Sequence, residues 1–354
     1  LHSSINKRIK LIMAFTTINK SSDYFDTKLY TGNASTNAIT GVGFQPDMTW
    51  LKQRDGTPDH YLYDAVRGVL NYITPNLITQ QQANVTSLTA FNSDGFTLGS
   101  NAATNANSGH FASWNWKANG QGSSNTDGTI NTAYTSANTT SGFSISTYTG
   151  TGANATIGHG LGVAPQVVIY KKTNTTGNWF MYNKNIGNTK YLNLDATSAV
   201  QTYNVFQNTD PSSTLLYVSG DSGANASGST YVAYCFTEKQ GFSKFNSYIG
   251  NGNADGTFVY TGFKPAWVLI KRSSAAGDQW QLSDNKRGFN GAIKTLYPDS
   301  AEAETSGNSI DFLSNGFKNR ASSVARNGAG STYIYMAFAA APLVGSNNVP
   351  ANAR

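Results

Sequence analysis

Residues 262–271 read GFKPAWVLIK, and the chain says nearly the same thing twice before, as GFQPDMTWLK at 43–52 and GVAPQVVIYK at 162–171. In all three the proline stands six positions before the lysine. Other landmarks keep their order around this stretch. Upstream lies Tyr-x-Gly, at Tyr30 to Gly32, Tyr148 to Gly150 and Tyr248 to Gly250, and before it a phenylalanine, Phe25, Phe143 or Phe242. Downstream each unit closes on HFASWNW (110–116), TYVAYCF (230–236) or TYIYMAF (332–338). Four landmarks in one order at near-constant spacing mark three copies of one module.

The closing segments show what kind of module it is. Val232, Tyr234 and Phe236 fall on one face of a period-two pattern, matched by Ile334, Met336 and Phe338 and by Ala112, Trp114 and Trp116, as in a β-strand with a buried side. The proline stretch differs, because Ala266 to Ile270 is apolar on both faces. A strand covered on both sides is central, inside its own sandwich or against a neighbouring copy. Pro46, Pro165 and Pro265 suit the start of such a strand, where a missing N–H interrupts no ladder. Turn pairs such as Asp94-Gly95, Asn251-Gly252, Asp255-Gly256 and Asn315-Gly316 punctuate the rest. The only helix candidate is the short SAEAETS at 300–306. The fold class expected is all-β, with three tandem antiparallel β-sandwich repeats, jelly-roll-like, of about 90 to 100 residues each.

The boundaries read as an N-terminal arm at 1–19, a first sandwich at 20–118, a polar linker at 119–140, a second sandwich at 141–239, a third at 240–341 and a C-terminal tail at 342–354. Each copy is expected to form its own core on its closing strand. Lys7, Arg8 and Lys10 sit in the first twelve residues; without them 22 Lys and Arg face 19 Asp and Glu, so the net charge of +6 marks no basic stripe. Nucleic-acid binding is not expected. The opening LHSSINKRIKLI lacks the apolar core of a secretory signal, and reads as an arm or, preferably, as upstream sequence translated ahead of a start at Met13. No apolar run is long enough to cross a bilayer, so membrane insertion is not expected.

Candidates for chemistry are few. His2, His60, His110 and His159 occupy unrelated places in the pattern and show no zinc spacing; no metal and no cofactor is expected. The lone Cys235 forms no intrachain disulfide and, with no evident base, reads as an inert thiol. The most suggestive cluster is DAVRG at 64–68 against DNKRG at 284–288, which makes Asp64 and Asp284 equivalent, and Arg67 and Arg287. The pairs either contact a ligand, as Asp and Arg do with sugar hydroxyls and carboxylates, or brace a turn, and the second reading is preferred. The middle copy has NKNIG, Asn183 to Gly187, in that place. Lys52, Lys171 and Lys271 either bind anions or guard strand ends against edge pairing, again with the second preferred. Tyr61, Tyr63, Trp179 and Trp280 are candidates for stacking on sugar rings, with core or interface as the commoner role. No catalytic set is found, and no binding residues are assigned.

YTGN at 30–33, GFQP at 43–46, SDGF at 93–96, GSTYVAYCF at 228–236 and GSTYIYMAF at 330–338 together resemble an uncharacterised repeat-domain family in structural proteins of tailed, mainly marine, bacteriophages. The resemblance runs over about residues 20 to 340; the second copy departs from it with Val163 in place of the phenylalanine and without the Asp–Arg pair. It implies a virion setting and supplies no catalytic residue. The expectation is a non-enzymatic virion protein, tail-associated as a fibre, spike or adhesion protein, with other virion proteins and a host surface glycan or receptor as partners, forming a homo-oligomer. The alternatives are a capsid decoration protein, and a glycan-binding module or glycan-cleaving enzyme, for which a carboxylate pair would be needed.

Overall fold

The closing segments, buried along almost their whole length, are interior strands of three large antiparallel sheets that share one strand order. In the computed structural model, which describes residues 16–307 and 309–344, the first large sheet runs Phe25–Thr31, His110–Trp116, Met48–Gln53, Tyr61–Asp64, Asn71–Ile73, Gln82–Ala83. The second repeats the order as Phe143–Thr149, Thr230–Phe236, Val167–Lys172, Trp179–Asn183, Lys190–Asn193, Gln201–Thr202. The third runs Ser243–Ile249, Thr332–Pro342, Phe263–Arg272, Gln281–Asp284, Thr295–Leu296. The expectations for residues 1–12, Met13, His2 and the end of the tail lie outside the described residues.

The lysine-bearing strands Met48–Gln53, Val167–Lys172 and Phe263–Arg272 each have a neighbour on both sides, in line with their two apolar faces. Pro46 and Pro165 precede their strands, whereas Pro265 lies within its strand, where the register to Thr332–Pro342 shifts on both sides of it; a bulge tolerates the missing donor. Smaller sheets cover one face of each large one: Asn37–Thr40, Gly95–Leu98 and Leu88–Asn92; Ala155–Gly158 with Leu215–Val218; and Phe258–Tyr260, Gly316–Asn319 and Ile310–Leu313. Helix among the described residues is confined to short turns, including Ala102–Asn105, Ser222–Asn225 and Val324–Asn327, each just before a closing strand. SAEAETS forms no helix; Thr305 bridges Thr295 instead.

Two expectations need correction. The polar stretch 119–140, read as a linker, carries strands Ser123–Asn125 and Thr132–Asn138, which extend the second large sheet beyond Phe143–Thr149. Its threonines and serines, poor in apolar content, still pair well on a pleated edge: Thr135 bonds both Thr132 and Ser146 through its hydroxyl.

The second correction concerns the cores. The face carrying Trp114 and Trp116, Tyr234 and Phe236, and Met336 and Phe338 lines a single core common to all three large sheets, joined by Trp50, Trp179, Trp267 and Trp280. Separate cores form on the opposite faces. Leu51 and Tyr63 pack with Phe96 and Leu98; Tyr170, Tyr231 and Cys235 with Ile157 and Leu216; Ile270, Tyr333 and Tyr335 with Ile310 and Phe317. The second and third closing strands therefore serve two cores at once, while the other face of His110–Trp116 is buried through Phe111, Ser113 and Asn115.

Candidate functional site

Asp64 and Asp284 end the strands Tyr61–Asp64 and Gln281–Asp284, and both are fully buried. Each carboxylate first closes its own turn. Asp64 accepts from the backbone N–H of Arg67 at 2.8 Å and from its Nε at 2.6 Å; Asp284 accepts from the Arg287 N–H at 3.0 Å and its Nε at 2.6 Å. The second oxygen then reaches a different sheet. Tyr234 donates its hydroxyl to Asp64 at 2.6 Å, and Trp114 donates its indole N–H to Asp284 at 2.9 Å, with the Arg287 guanidinium 5.5 Å from the Trp114 ring. The pairs brace turns, and in addition they tie sheets together. Burial removes them as ligand contacts, since a carboxylate with no exposed surface and its oxygens bonded has nothing to offer a sugar.

In the middle sheet Asn183 takes the place of the aspartate, and the place of Trp114 and Tyr234 on the third closing strand belongs to Met336. An ionised pair there would face a side chain with no hydrogen to donate. Asn185 supplies a substitute bond, its amide donating to Phe245 O at 3.1 Å.

The lysines follow the same logic. Lys52, Lys171 and Lys271 are buried, on interior strands, so neither edge protection nor an open anion site describes them. Lys171 donates to Ile78 O at 3.0 Å and also to Gly177 O, and Lys271 to Thr197 O at 3.2 Å and Asp278 O at 2.7 Å. Lys52 holds its own loop through Gln53 O and Gly56 O. Burial pushes all three amines down to about 8.

Trp179 and Trp280, for which core or interface was the commoner of two roles, are buried at the same joints. Trp179 donates its indole N–H to Thr74 O at 3.0 Å, and Trp280 donates to Asn193 O at 2.9 Å. The matching residue in the first sheet is His60. Its Nδ1 accepts from the Trp50 indole at 2.9 Å, so Nε2 carries the hydrogen given to Tyr297 O at 3.0 Å; burial holds this imidazole neutral by lowering its pKa well below the usual value. Backbone bonds repeat the pattern, with Gln81 N–H to Thr173 O, Val200 N–H to Ser273 O and Glu304 N–H to Arg54 O. Second sheet docks on first, third on second and first on third, so the joints close in a cycle.

A further set was missed from the sequence. Asn105, Asn225 and Asn327 are buried and clamp the turns after the opening strands. Their side-chain oxygens accept from the N–H of Asn33, Thr151 and Asn251 respectively, at 2.8 to 3.0 Å. Tyr30, Tyr148 and Tyr248 donate their hydroxyls to the carbonyls of Thr104, Ala224 and Arg326 beside them. A Cβ on Gly32, Gly150 or Gly250 would meet a carbonyl oxygen at 2.1, 2.3 or 2.4 Å, which explains the glycine of Tyr-x-Gly. The signal was present, an asparagine three positions before Ser108, Gly228 and Gly330. Asn251, Asn253, Asp255 and Gly256 carry the spacing of a calcium loop, yet the Asn327 amide donates into it, to Asn251 Oδ1 and Asn253 O, both at 2.8 Å, and Asp255 is paired with Lys318.

Residues 20–342 match the family described as a domain of unknown function, DUF7483. The chain belongs to the DUF7483 family. Neither a curated protein nor a solved structure matches it.

What remains for chemistry in this DUF7483 chain lies outside the joints. Cys235 is buried and its thiol is pushed up to about 12 by that burial. No three His, Cys, Asp or Glu side chains converge to hold a metal among the described residues, and no helix among them is long and apolar enough to cross a membrane. A cavity of about 20 Å³ in the common core, between Trp50, Tyr234, Trp267 and Met336, has room for about one water and no ligand. Tyr61 is half-buried against Tyr72, with ring centroids 4.9 Å apart, and Tyr63 is buried. The exposed aromatics are others, including Tyr203, Phe258, Tyr260 and Phe289. Tyr203 and Phe289 lie outside strands, where no periodicity marks them, while Phe258 and Tyr260 flank buried Val259 on the outer face of a three-residue strand too short to show alternation in the sequence.

Proposed function

We propose that this DUF7483 chain is a non-enzymatic structural protein of a bacteriophage virion, tail-associated as a fibre, spike or adhesion protein, that contacts the host surface. In this reading the chain is three copies of one jelly-roll-like β-sandwich of about 90 to 100 residues. The cycle of joints carries the reading. Asp64, Asp284, Lys171, Lys271, Trp179 and Trp280, the residues with most chemical potential, all serve to fasten sheet to sheet. Such use favours a rigid body that displays its turns, and binding through loops on a rigid scaffold is a common division of labour. The bacteriophage setting rests on the motif resemblance. Since the large-sheet faces are occupied within the chain, homo-oligomers and contacts with other virion proteins would use the outer surface.

Immunogold labelling of intact virions with an antibody to this chain tests the reading. Gold at the tail is expected. Gold over the head would replace the tail assignment by capsid decoration, and particles without gold would overturn the virion reading. Host polysaccharide incubated with the protein should release no reducing ends; sustained release would move a glycan-cleaving enzyme to first place.

A further inference from the structure

A concavity of about 440 Å³ opens between Asn154, the segment Tyr203 to Asn204 and the loop Ser219 to Ser222, a volume within the range of small-molecule sites. Its parts are fixed by the backbone. Tyr203 donates its N–H to Thr189 O at 3.2 Å and accepts at its own carbonyl from Val205 N–H at 2.9 Å. Ser219 donates its hydroxyl to Asn204 O at 2.6 Å and accepts from Asp221 N–H at 3.1 Å. Gly220 lets the loop lie against the neighbouring turn, since a Cβ there would meet Gly152 O at 2.5 Å.

Within this frame the side chains are left over. The Tyr203 ring is 59% exposed and stacks on no other ring among the described residues. Asp221 uses one oxygen to accept from Gly223 N–H at 2.7 Å, which leaves the other directed to no described residue. The amides of Asn154 and Asn204, both exposed, likewise bond no other described residue. The residue at the matching place in the first sheet is Asn84, whose N–H donates to Leu70 O as Tyr203 does to Thr189 O, so the aromatic ring is an addition to a shared backbone.

We infer that this concavity binds a neutral sugar. An exposed aromatic face accepts the C–H face of a pyranose, a carboxylate oxygen accepts from a hydroxyl, and an amide both donates and accepts, which together suit adjacent hydroxyls. Among the lining residues the Asp221 carboxylate is the one charge, with no Lys or Arg, so an acidic sugar meets repulsion with no cation to offset it. This site deepens the host-contact reading above and rests on it.

Saturation-transfer NMR on the whole chain tests it, with methyl α-D-glucopyranoside, methyl α-D-mannopyranoside and methyl β-D-galactopyranoside as probes and methyl β-D-glucuronide as the acidic comparator. Transfer to the ring C–H protons of at least one neutral glycoside is expected, lost in Tyr203→Ala, kept in Tyr203→Phe, and at least fivefold weaker for the glucuronide. No transfer to any of the three, transfer that survives Tyr203→Ala, or equal transfer to the glucuronide would overturn the site. Particle labelling is read separately: gold on the virion without sugar transfer removes this site and leaves the virion reading standing, and transfer without gold does the reverse.

Discussion

Asp64 and Asp284 each sit at the meeting point of a turn, an arginine and a second sheet, with no exposed surface. Removing Asp64 leaves the buried Arg67 guanidinium without its carboxylate, removing Asp284 leaves Arg287 only the more distant Glu304 at 3.5 Å, and either change leaves a Tyr or Trp donor unmet. Asp64→Ala or Asp284→Ala should therefore cost about 3 to 5 kcal/mol in chemical denaturation; a loss below about 0.5 kcal/mol, the level of an ordinary surface change, would contradict the bridging role. The three buried lysines set a pH dependence. Their amines are held at about 8 against an unfolded value of 10.5, so across that interval the unfolded chain binds more protons and stability rises with pH. Cys235 opposes this, because its thiol stays protonated in the fold up to about 12 while the unfolded one titrates near 9.0. Buried tyrosines such as Tyr148, Tyr170 and Tyr234, whose hydroxyls burial holds protonated well above the usual 10.0, oppose it too, but only as pH nears 10. The urea midpoint should therefore climb between pH 8 and pH 9, and Lys171→Met combined with Lys271→Met should flatten the climb. An identical slope in that variant would show that other groups set it. None of this burial was legible in the sequence, where a lysine or aspartate at a strand end reads as surface, because burying a charge depends on partners from distant segments.

At the scale of elements the sequence was more informative. Alternation along the closing segments located strands His110–Trp116, Thr230–Phe236 and Thr332–Pro342, and the doubly apolar proline stretches were rightly placed in sheet interiors. Two-sided burial does not say what covers each side, so the core shared between sheets could not be told from a sandwich interior. The turn clamps escaped notice because asparagine is common in loops and its burial leaves no periodic trace. They are testable. In Asn327→Ala the turn at Asn251 to Asn253 loses an acceptor and a donor, which should cost about 2 kcal/mol and speed hydrogen exchange at amides 251–257; unchanged exchange there would mean that the clamp does not hold the turn.

For the molecule as a whole, Phe338 shows how the sheets depend on one another. Its ring lies within 5.1 to 6.1 Å of Phe25, Trp116, Phe236, Phe242, Phe245 and Trp267, drawn from all three large sheets and the segment between the second and third. Thermal unfolding should then be one transition, and Phe338→Ala, which empties a large buried volume at a cost of about 3 to 5 kcal/mol, should move all of it. Separate transitions, with only the last third of the chain shifted, would show that the sheets are independent.

The cycle of joints closes inside one polypeptide, and its members differ: Asp64 with Tyr234, Asp284 with Trp114, and Asn185 with a backbone carbonyl. In an assembly of three identical chains, any substitution at such a contact would appear at every contact simultaneously. Here it appears once. A replacement tolerable at one seam need not be tolerable at the others, which frees each third of the molecule to diverge, and a groove such as that beside Tyr203 can arise on one side alone without imposing itself on the other two.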